Sequence, residues 1–378
     1  MTTGTTASPK AARSPRLGYS IFDIEMHMES GGMETIAKFL PARYRDRCRE
    51  NFTAGPLTVN LDQRGGGNRA DADVSDGGLP ASNPALIRRQ MLEPYDIEWA
   101  ICTNNIYNLC ILPDADYAAA LASACNDWVL QEFAPQDPAF LAAMTVAIQD
   151  ADLAVREIER VGSHPLVVEI IITTSSTEPL GNRRYHKIYE AAQAHGLAIA
   201  AHTTVEGRAT SGPSGSAGYP SRYLEFHTSL AASAICQTAS LVCEGVFAKF
   251  PELKFILLEG GVSWALPLMW KLDAEWKRLR EEMPQIKELP SESMRRQLFY
   301  TTQPIEEPLS PRDLLHTYEL IGGHSQIMFS SDYPHWDFDD PFKILPGATA
   351  APLKRRILRE NALDLFRHRL PSPQPFKA

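Results

Sequence analysis

The chain has no two cysteines at CxxC spacing; its six, Cys48, Cys102, Cys110, Cys125, Cys236 and Cys243, stand singly in apolar or helical surroundings. This argues against a disulfide framework and a thiolate metal site, and for reduced, intracellular thiols. Also missing is any apolar run near the roughly 20 residues that a membrane span needs. No basic block gathers on the chain, and the formal charge of -9 is dispersed, so nucleic acid and anionic membranes are excluded as expected partners. Met1–Arg16, rich in Thr, Ala, Ser and Pro, lacks the apolar stretch of a secretory signal. Residues 1–18 therefore read as a flexible leader, and a cytoplasmic location is expected. No glycine-rich phosphate loop follows the first apolar strand, which disfavours a doubly wound open sheet.

What is present is ample core material, 44% hydrophobic against 22% charged, in 378 residues. Short, continuously apolar runs recur at Ile21–His27, Ile97–Thr103, Phe140–Ala147, Val167–Thr173, Leu197–Thr203, Lys254–Glu259, Leu298–Thr302 and Ile327–Ser331. Continuous rather than alternating apolarity suits parallel strands covered on both faces. Helical spacing follows them at Asp114–Phe133, Asp150–Val161, Asn182–His195, Leu224–Phe250, Trp264–Met283, Pro311–Ile321 and Leu353–Arg367. Eight such units predict a (β/α)8 TIM barrel, a fold that reaches this length as one domain. Its expected bounds are 19–370, with a tail at 371–378. The first strand is followed by residues 31–84, where Arg64-Gly-Gly-Gly-Asn68 and Asp76-Gly-Gly-Leu-Pro80 are loop sequence. An insertion this long beside a histidine-bearing strand is expected to cap a site.

In a barrel the C-terminal strand ends converge on one face. Those ends carry Glu25 and His27 on strand one, His202 on strand five, Glu259 on strand six and Asp332, with His335 close behind, on strand eight. Glu25 and His27 repeat at every second residue, roughly 6.5 to 7 Å apart along the backbone, and so share a face. Imidazole and carboxylate suit Zn, Mn or Fe, and three or four such ligands with an open position make a catalytic site. Each residue also has a plainer reading: Glu25 in an ion pair, His27 and His202 as hydrogen-bonded core histidines, Asp332 capping the turn before Tyr333-Pro334. Arg208 and Arg222, in a glycine-rich stretch, either hold a substrate carboxylate or are merely solvated.

The segments Asp23-Ile-Glu-Met-His27, Ala200-Ala-His-Thr-Thr204, Leu257-Leu-Glu-Gly-Gly-Val-Ser-Trp264 and Ser330-Ser-Asp-Tyr-Pro-His-Trp-Asp337 together resemble the amidohydrolase-related family. The likeness is to the branch typified by aminocarboxymuconate-semialdehyde decarboxylase, and it runs from Ile21 to Phe366. Cys125-Asn-Asp-Trp128, Glu157-Ile-Glu-Arg160 and Pro179-Leu-Gly181 fit the same family. The resemblance implies one divalent ion, zinc first and manganese or iron next, on Glu25, His27, His202 and Asp332. It implies acid, base or supporting roles for His227 and His335. Two departures stand out: many relatives have His or Asp where Glu25 stands, and the archetype's strand-six histidine is Glu259 here. Glu259 either orients a ligand histidine or binds metal itself. Strand four has no lysine, so the carbamylated-lysine bridge of dinuclear relatives is missing, and a second metal would fall to Glu259 with His227 or His335.

These readings predict a metal-dependent enzyme acting on a small carboxylic acid, by decarboxylation or by hydrolysis of a C–C or C–N bond. The alternatives are a subunit of an iron- or manganese-dependent hydroxylase, itself holding a single zinc or redox metal, and a non-catalytic scaffold subunit. A homo-oligomer, or a hetero-oligomer with a homologous subunit, is expected, with the helix from Leu224 as a contact.

Overall fold

The continuously apolar runs form eight parallel strands in the computed structural model, which describes residues 15–50, 67–72, 78–203, 206–207, 211–347 and 349–371. The strands are β1 (Ile21–Met28), β2 (Ile97–Asn104), β3 (Phe140–Thr145), β4 (Val167–Thr173), β5 (Ala198–His202), β6 (Phe255–Leu258), β7 (Leu298–Thr301) and β8 (Ile327–Met328). They pair in sequence order, every neighbouring pair parallel. The seam between last and first closes through main-chain bonds from Ile24 N–H to the Phe329 carbonyl (3.1 Å) and from His27 N–H to the Tyr333 carbonyl (2.7 Å). This is the (β/α)8 barrel expected from the sequence.

Every residue of β1 and β4 is buried, as strands sandwiched between a barrel interior and a helical jacket must be. Phe22, Ile24, Ile101, Leu141, Ile171, Ala200, Ile256 and Leu258 share one apolar cluster, which Phe366 joins with its ring 5.8 Å from that of Phe22. Side-chain caps start the jacket helices: Asp114 accepts from Tyr117 N–H (3.0 Å) ahead of Ala115–Trp128, and Asp150 from Leu153 N–H (2.9 Å) ahead of Ala151–Val161. Each such cap contributes about 1 kcal/mol. Two of the quoted signatures form one polar network between these helices, with Asn126 donating to Glu157 (2.6 Å) and Arg160 to Asp127 (2.7 Å).

Some expected bounds shift. The helix expected over Leu224–Phe250 spans Tyr223–Cys243; Gly245, at φ 73, breaks it before a short turn Val246–Lys249. A positive φ suits glycine and ends a helix. Pro290–Gln297 is an additional helix, and Met33–Ala37 and Ala42–Glu50 are helices in a stretch read as irregular. Ala42–Glu50 is mostly charged, but Cys48 is buried in the core and Tyr44 packs on Tyr117 with ring centroids 5.2 Å apart, while exposed ion pairs join Arg49 to Glu34 (2.6 Å) and Arg47 to Asp114 (2.6 Å). Residues 51–66 and 73–77 of the expected cap, 1–14 of the leader and 372–378 of the tail lie outside the described residues. No described helix is long and apolar enough to cross a membrane.

Gly181 marks a close approach of chain segments. Its N–H donates to Ser240 Oγ (3.0 Å), and a Cβ there would press into the Ser240 carbonyl group. Gly181→Ala is expected to lower stability by about 1–3 kcal/mol, the usual cost of overpacking; a drop in the denaturant midpoint at unchanged slope checks it.

Candidate metal centre

Between Asp23 and Met26, β1 gains a residue on β2, since Asp23 faces Ala100 and Met26 faces Cys102. Such bulges re-aim side chains beside functional sites. Asp23 braces this one, its Oδ1 accepting from Glu25 N–H (3.3 Å) and Ser331 N–H (3.0 Å). Burial outweighs these bonds and pushes its carboxyl up to about 7. Glu25 and His27 thereby reach the barrel mouth together. On β5 the simple alternation Ala198, Ala200, His202 aims the imidazole there. Glu259 and Asp332 leave their strands with φ of 53 and 56, a left-handed conformation rare outside glycine. Strain of this kind costs of order 1–3 kcal/mol and clusters at functional sites.

Five buried or nearly buried side chains meet there. His202 Nε2 lies 2.8 Å from Glu25 Oε1 and 3.1 Å from Glu259 Oε1. His27 Nε2 lies 3.0 Å from Asp332 Oδ1, 3.4 Å from Glu25 Oε1 and 3.6 Å from Glu259 Oε1. His335 adjoins them, its Nδ1 2.6 Å from Asp332 Oδ1 and its ring 4.4 Å from that of His27. His227 stands apart: its Nε2 pairs with Asp337 Oδ2 (3.2 Å), and its ring packs between Tyr223 (5.5 Å) and Trp336 (6.0 Å). Arg222 is exposed at the start of the helix Tyr223–Cys243, and Arg208 lies outside the described residues.

Hydrogen bonds fix which imidazole nitrogens are free. His27 Nδ1 faces Asn105 Oδ1 (3.0 Å) and His202 Nδ1 faces the Thr203 carbonyl (3.0 Å); both oxygens only accept, so both Nδ1 atoms carry the proton. Each Nε2 then offers a lone pair to neighbouring carboxylate oxygens. His27 Nε2, His202 Nε2, both Glu25 oxygens and Glu259 Oε1 are buried without a hydrogen-bond partner. Acceptors facing acceptors in a buried site need a positive charge between them.

Without metal, a proton supplies that charge. Burial disfavours the His202 imidazolium, yet the Glu259 and Glu25 carboxylates carry its pKa up to about 10. Burial likewise opposes ionisation of Glu259, but His202 beside it holds that carboxyl well below its usual range. Burial and then Glu259 push Asp332 well up, and burial with the neighbouring His27 pushes His335 down to about 4. Two imidazoles and several carboxylates also form the donor set of Zn, Mn or Fe, so the residues fit a divalent ion.

Supporting residues that the sequence reading passed over complete the site. Asn105, directly after β2, orients His27 and donates to Glu29. Gln303, just past β7, donates to Asp332 Oδ2 (3.0 Å), and Tyr107 stacks near His202 with ring centroids 4.9 Å apart. The strand-end rule that picked out the candidate ligands would also have picked out Asn105 and Gln303. Asn105→Ala frees the His27 ring and is expected to weaken metal affinity about 10- to 100-fold, the usual cost of losing such a partner; metal-binding titration checks it. Beside His27, Glu29, Asn105 and His335 opens a cavity of about 250 Å³, lined on its other side by Gly67, Asn68, Leu79 and Pro80.

A family model described as amidohydrolase matches residues 48–368, beginning after β1 and its two ligand-type residues. Gamma-resorcylate decarboxylase of Rhizobium radiobacter is 24% identical over 303 residues, covering 74% of this chain and 86% of that protein. The structure of 5-carboxyvanillate decarboxylase from Novosphingobium aromaticivorans DSM 12444, complexed with manganese, superposes with a TM-score of 0.67 at 19% identity, covering 94% of this chain and 100% of that one. Dihydroxybenzoic acid decarboxylase from Polaromonas sp. JS666, also with bound manganese, gives 0.60 at 19% identity, covering 92% and 97%. At such identities the structures establish a shared fold, while the family match spans most of the sequence. The chain belongs to the amidohydrolase family.

Proposed function

We propose that the protein is a metal-dependent decarboxylase of a small aromatic carboxylic acid. The observation that carries this reading is the convergence of buried lone pairs without a hydrogen-bond partner from Glu25, His27, His202 and Glu259, with Asp332 Oδ1 3.0 Å from His27 Nε2. The similar proteins, named as decarboxylases of dihydroxybenzoate and carboxyvanillate, support the reaction, and two of them contain manganese, the first ion to test. None of these named relatives supports the hydroxylase expectation.

When bound, a divalent ion supplies a Lewis acid that holds and polarises the substrate's carboxylate. Glu25, His27 and His202 would hold the ion, joined by a carboxylate from Asp332 or Glu259, both of which reach His27. Asn105 and the Thr203 carbonyl keep the two imidazoles in the ligating tautomer. Decarboxylation exchanges CO2 for a proton on the ring carbon, so the chain must deliver one. Glu259, held as a carboxylate, is unsuited to that task. His227 suits it: the hydrogen bond to Asp337 holds its pKa above the ordinary imidazole value despite burial, with Glu259 and Asp332 adding to the shift. Tyr223 and Trp336 flank it as aromatic surfaces on which a ring can stack.

The cap reading of 31–84 is supported by residues 67–69, whose main chain bonds to the strand-eight loop: Arg69 N–H to the Pro334 carbonyl (2.8 Å) and Trp336 N–H to the Gly67 carbonyl (3.2 Å). An oligomer contact on the helix from Tyr223 is supported by Leu224, which is 78% exposed.

The test is CO2 release from a panel of hydroxybenzoic acids by metal-stripped protein reloaded with Mn2+. Release that disappears on chelation supports the proposal. Oxygen uptake, or amide hydrolysis without CO2, would overturn it.

A further inference from the structure

The cavity that opens beside His27 and His335 has two unlike walls. Leu79, Pro80 and Pro334 make one of them apolar, with Leu79 left 43% exposed, and Glu29, Asn68 and Asn105 make the other polar. A cavity of roughly 150 Å³ holds benzene, so the volume of about 250 Å³ takes one substituted ring and little more. Glu29 follows β1 directly and stands two residues after His27, the spacing that keeps two side chains on one face of a strand. Asn105 fixes the two in relation to each other, its Oδ1 facing His27 Nδ1 (3.0 Å) and its amide donating to Glu29 Oε1. On the reading of the mouth as a site for aromatic acids, we propose that Glu29 accepts a hydrogen bond from a ring hydroxyl or amino group of the substrate, while the substrate's carboxylate turns to the ion. Glu29 thereby selects donor-bearing monocarboxylates against acids with a second carboxylate or an alkoxy group at that ring position.

The partners of Glu29 carry this inference. Among the described residues no lysine or arginine pairs with it; its donors are the Asn105 amide and the main chain at Ser30, and the charges that bear on it are the imidazoles of His27 and His335. An ionised carboxyl only accepts, and its two oxygens offer about four lone-pair sites. The Asn105 amide fills one of them, which leaves Glu29 lining the cavity with acceptor capacity to spare. A ring hydroxyl or amino group meets that need. An alkoxy oxygen sets acceptor against acceptor, and a site built to bond a donor discriminates sharply against an analogue that lacks it. A second carboxylate sets like charge against like charge. The apolar wall of Leu79, Pro80 and Pro334 is then left to cover the ring itself, a division of labour usual in small-molecule sites.

The test is calorimetric titration of Mn2+-loaded protein with benzoates substituted at the meta or para position by hydroxyl, amino, methoxy or carboxyl groups. At one of the two positions the hydroxyl or the amino acid is expected to bind about 10- to 100-fold more tightly than its methoxy and carboxyl counterparts, the usual worth of a hydrogen bond to a charged group; the hydroxyl and amino arms tell which donor the site takes. In Glu29→Gln the penalty on the second carboxylate should vanish, and in Glu29→Leu the preference for a donor should vanish with it. Equal affinities at both positions in the unmodified protein overturn the proposal, and that measurement needs no variant to fold. So does a preference that survives in Glu29→Leu. Binding is read apart from turnover: discrimination without CO2 release refutes the decarboxylase and keeps the subsite, CO2 release without discrimination does the reverse, and failure to bind any of the acids refutes both.

Discussion

His202→Ala is expected to reduce kcat/KM by well over about 100-fold, more than the loss of an outer partner of a metal ligand usually produces. The imidazole is almost fully buried, its Nε2 is 2.8 Å from Glu25 and 3.1 Å from Glu259, and its Nδ1 is spent on the Thr203 carbonyl. Its removal takes away a proposed ligand and leaves the Glu25 and Glu259 carboxylates without the imidazole between them. One of them then takes up a proton, since like charges this close cannot both stay ionised without a cation. Steady-state kinetics and metal content read the loss, and size-exclusion chromatography reads assembly. Lost turnover with unchanged assembly separates an enzyme from the scaffold subunit that the sequence left open. Turnover at the unmodified rate would refute the metal centre.

The second large effect is a pH dependence of metal binding. With no metal, His202 keeps its proton up to about pH 10. Binding must expel that proton, so apparent affinity should rise by about tenfold per pH unit for each proton released as pH climbs from 7 toward that value. The metal-free fold has the opposite trend. The folded pKa lies above the ordinary 6.5, so the folded state binds more protons between the two values. The stability this contributes is complete below about pH 6.5 and lost as pH rises through about 10. Calorimetric titration in buffers of different ionisation enthalpy measures the released proton. Melting curves of stripped and Mn2+-loaded protein at pH 7 and 9.5 should diverge with rising pH. An affinity independent of pH would contradict this account.

Much of the architecture was legible because its signals are local. The apolar run Val167–Thr173 and the helix Pro311–Ile321, bounded by Pro311 and Gly322, appear in the structure with the expected limits. The break at Gly245 was equally local, but the apolar residues on either side masked it. Helices with a narrow apolar face, such as Ala42–Glu50, which meets the core through Tyr44 and Cys48, gave little periodic signal.

The centre was legible as a set of strand ends but not as a geometry. Glu259 had two readings in the sequence, and what turns its carboxylate toward His202 is a left-handed backbone that no glycine announces. His227 looked like a neighbour of the metal, yet it bonds to Asp337, a partner more than a hundred residues away that no spacing reveals. Glu25 and Asp332, grouped on one ion by resemblance, both stand beside His27 Nε2, at 3.4 and 3.0 Å.

The seam between β1 and β8 has a consequence for biosynthesis. Glu25 and His27 leave the ribosome long before the Asp332 and His335 that face them, and the main-chain bonds that close the seam wait for Phe329 and Tyr333. A chain stopped before Asp332 has Glu25 and His27 without the carboxylate and imidazole that face them, so the site is assembled only once both ends of the barrel sheet are made.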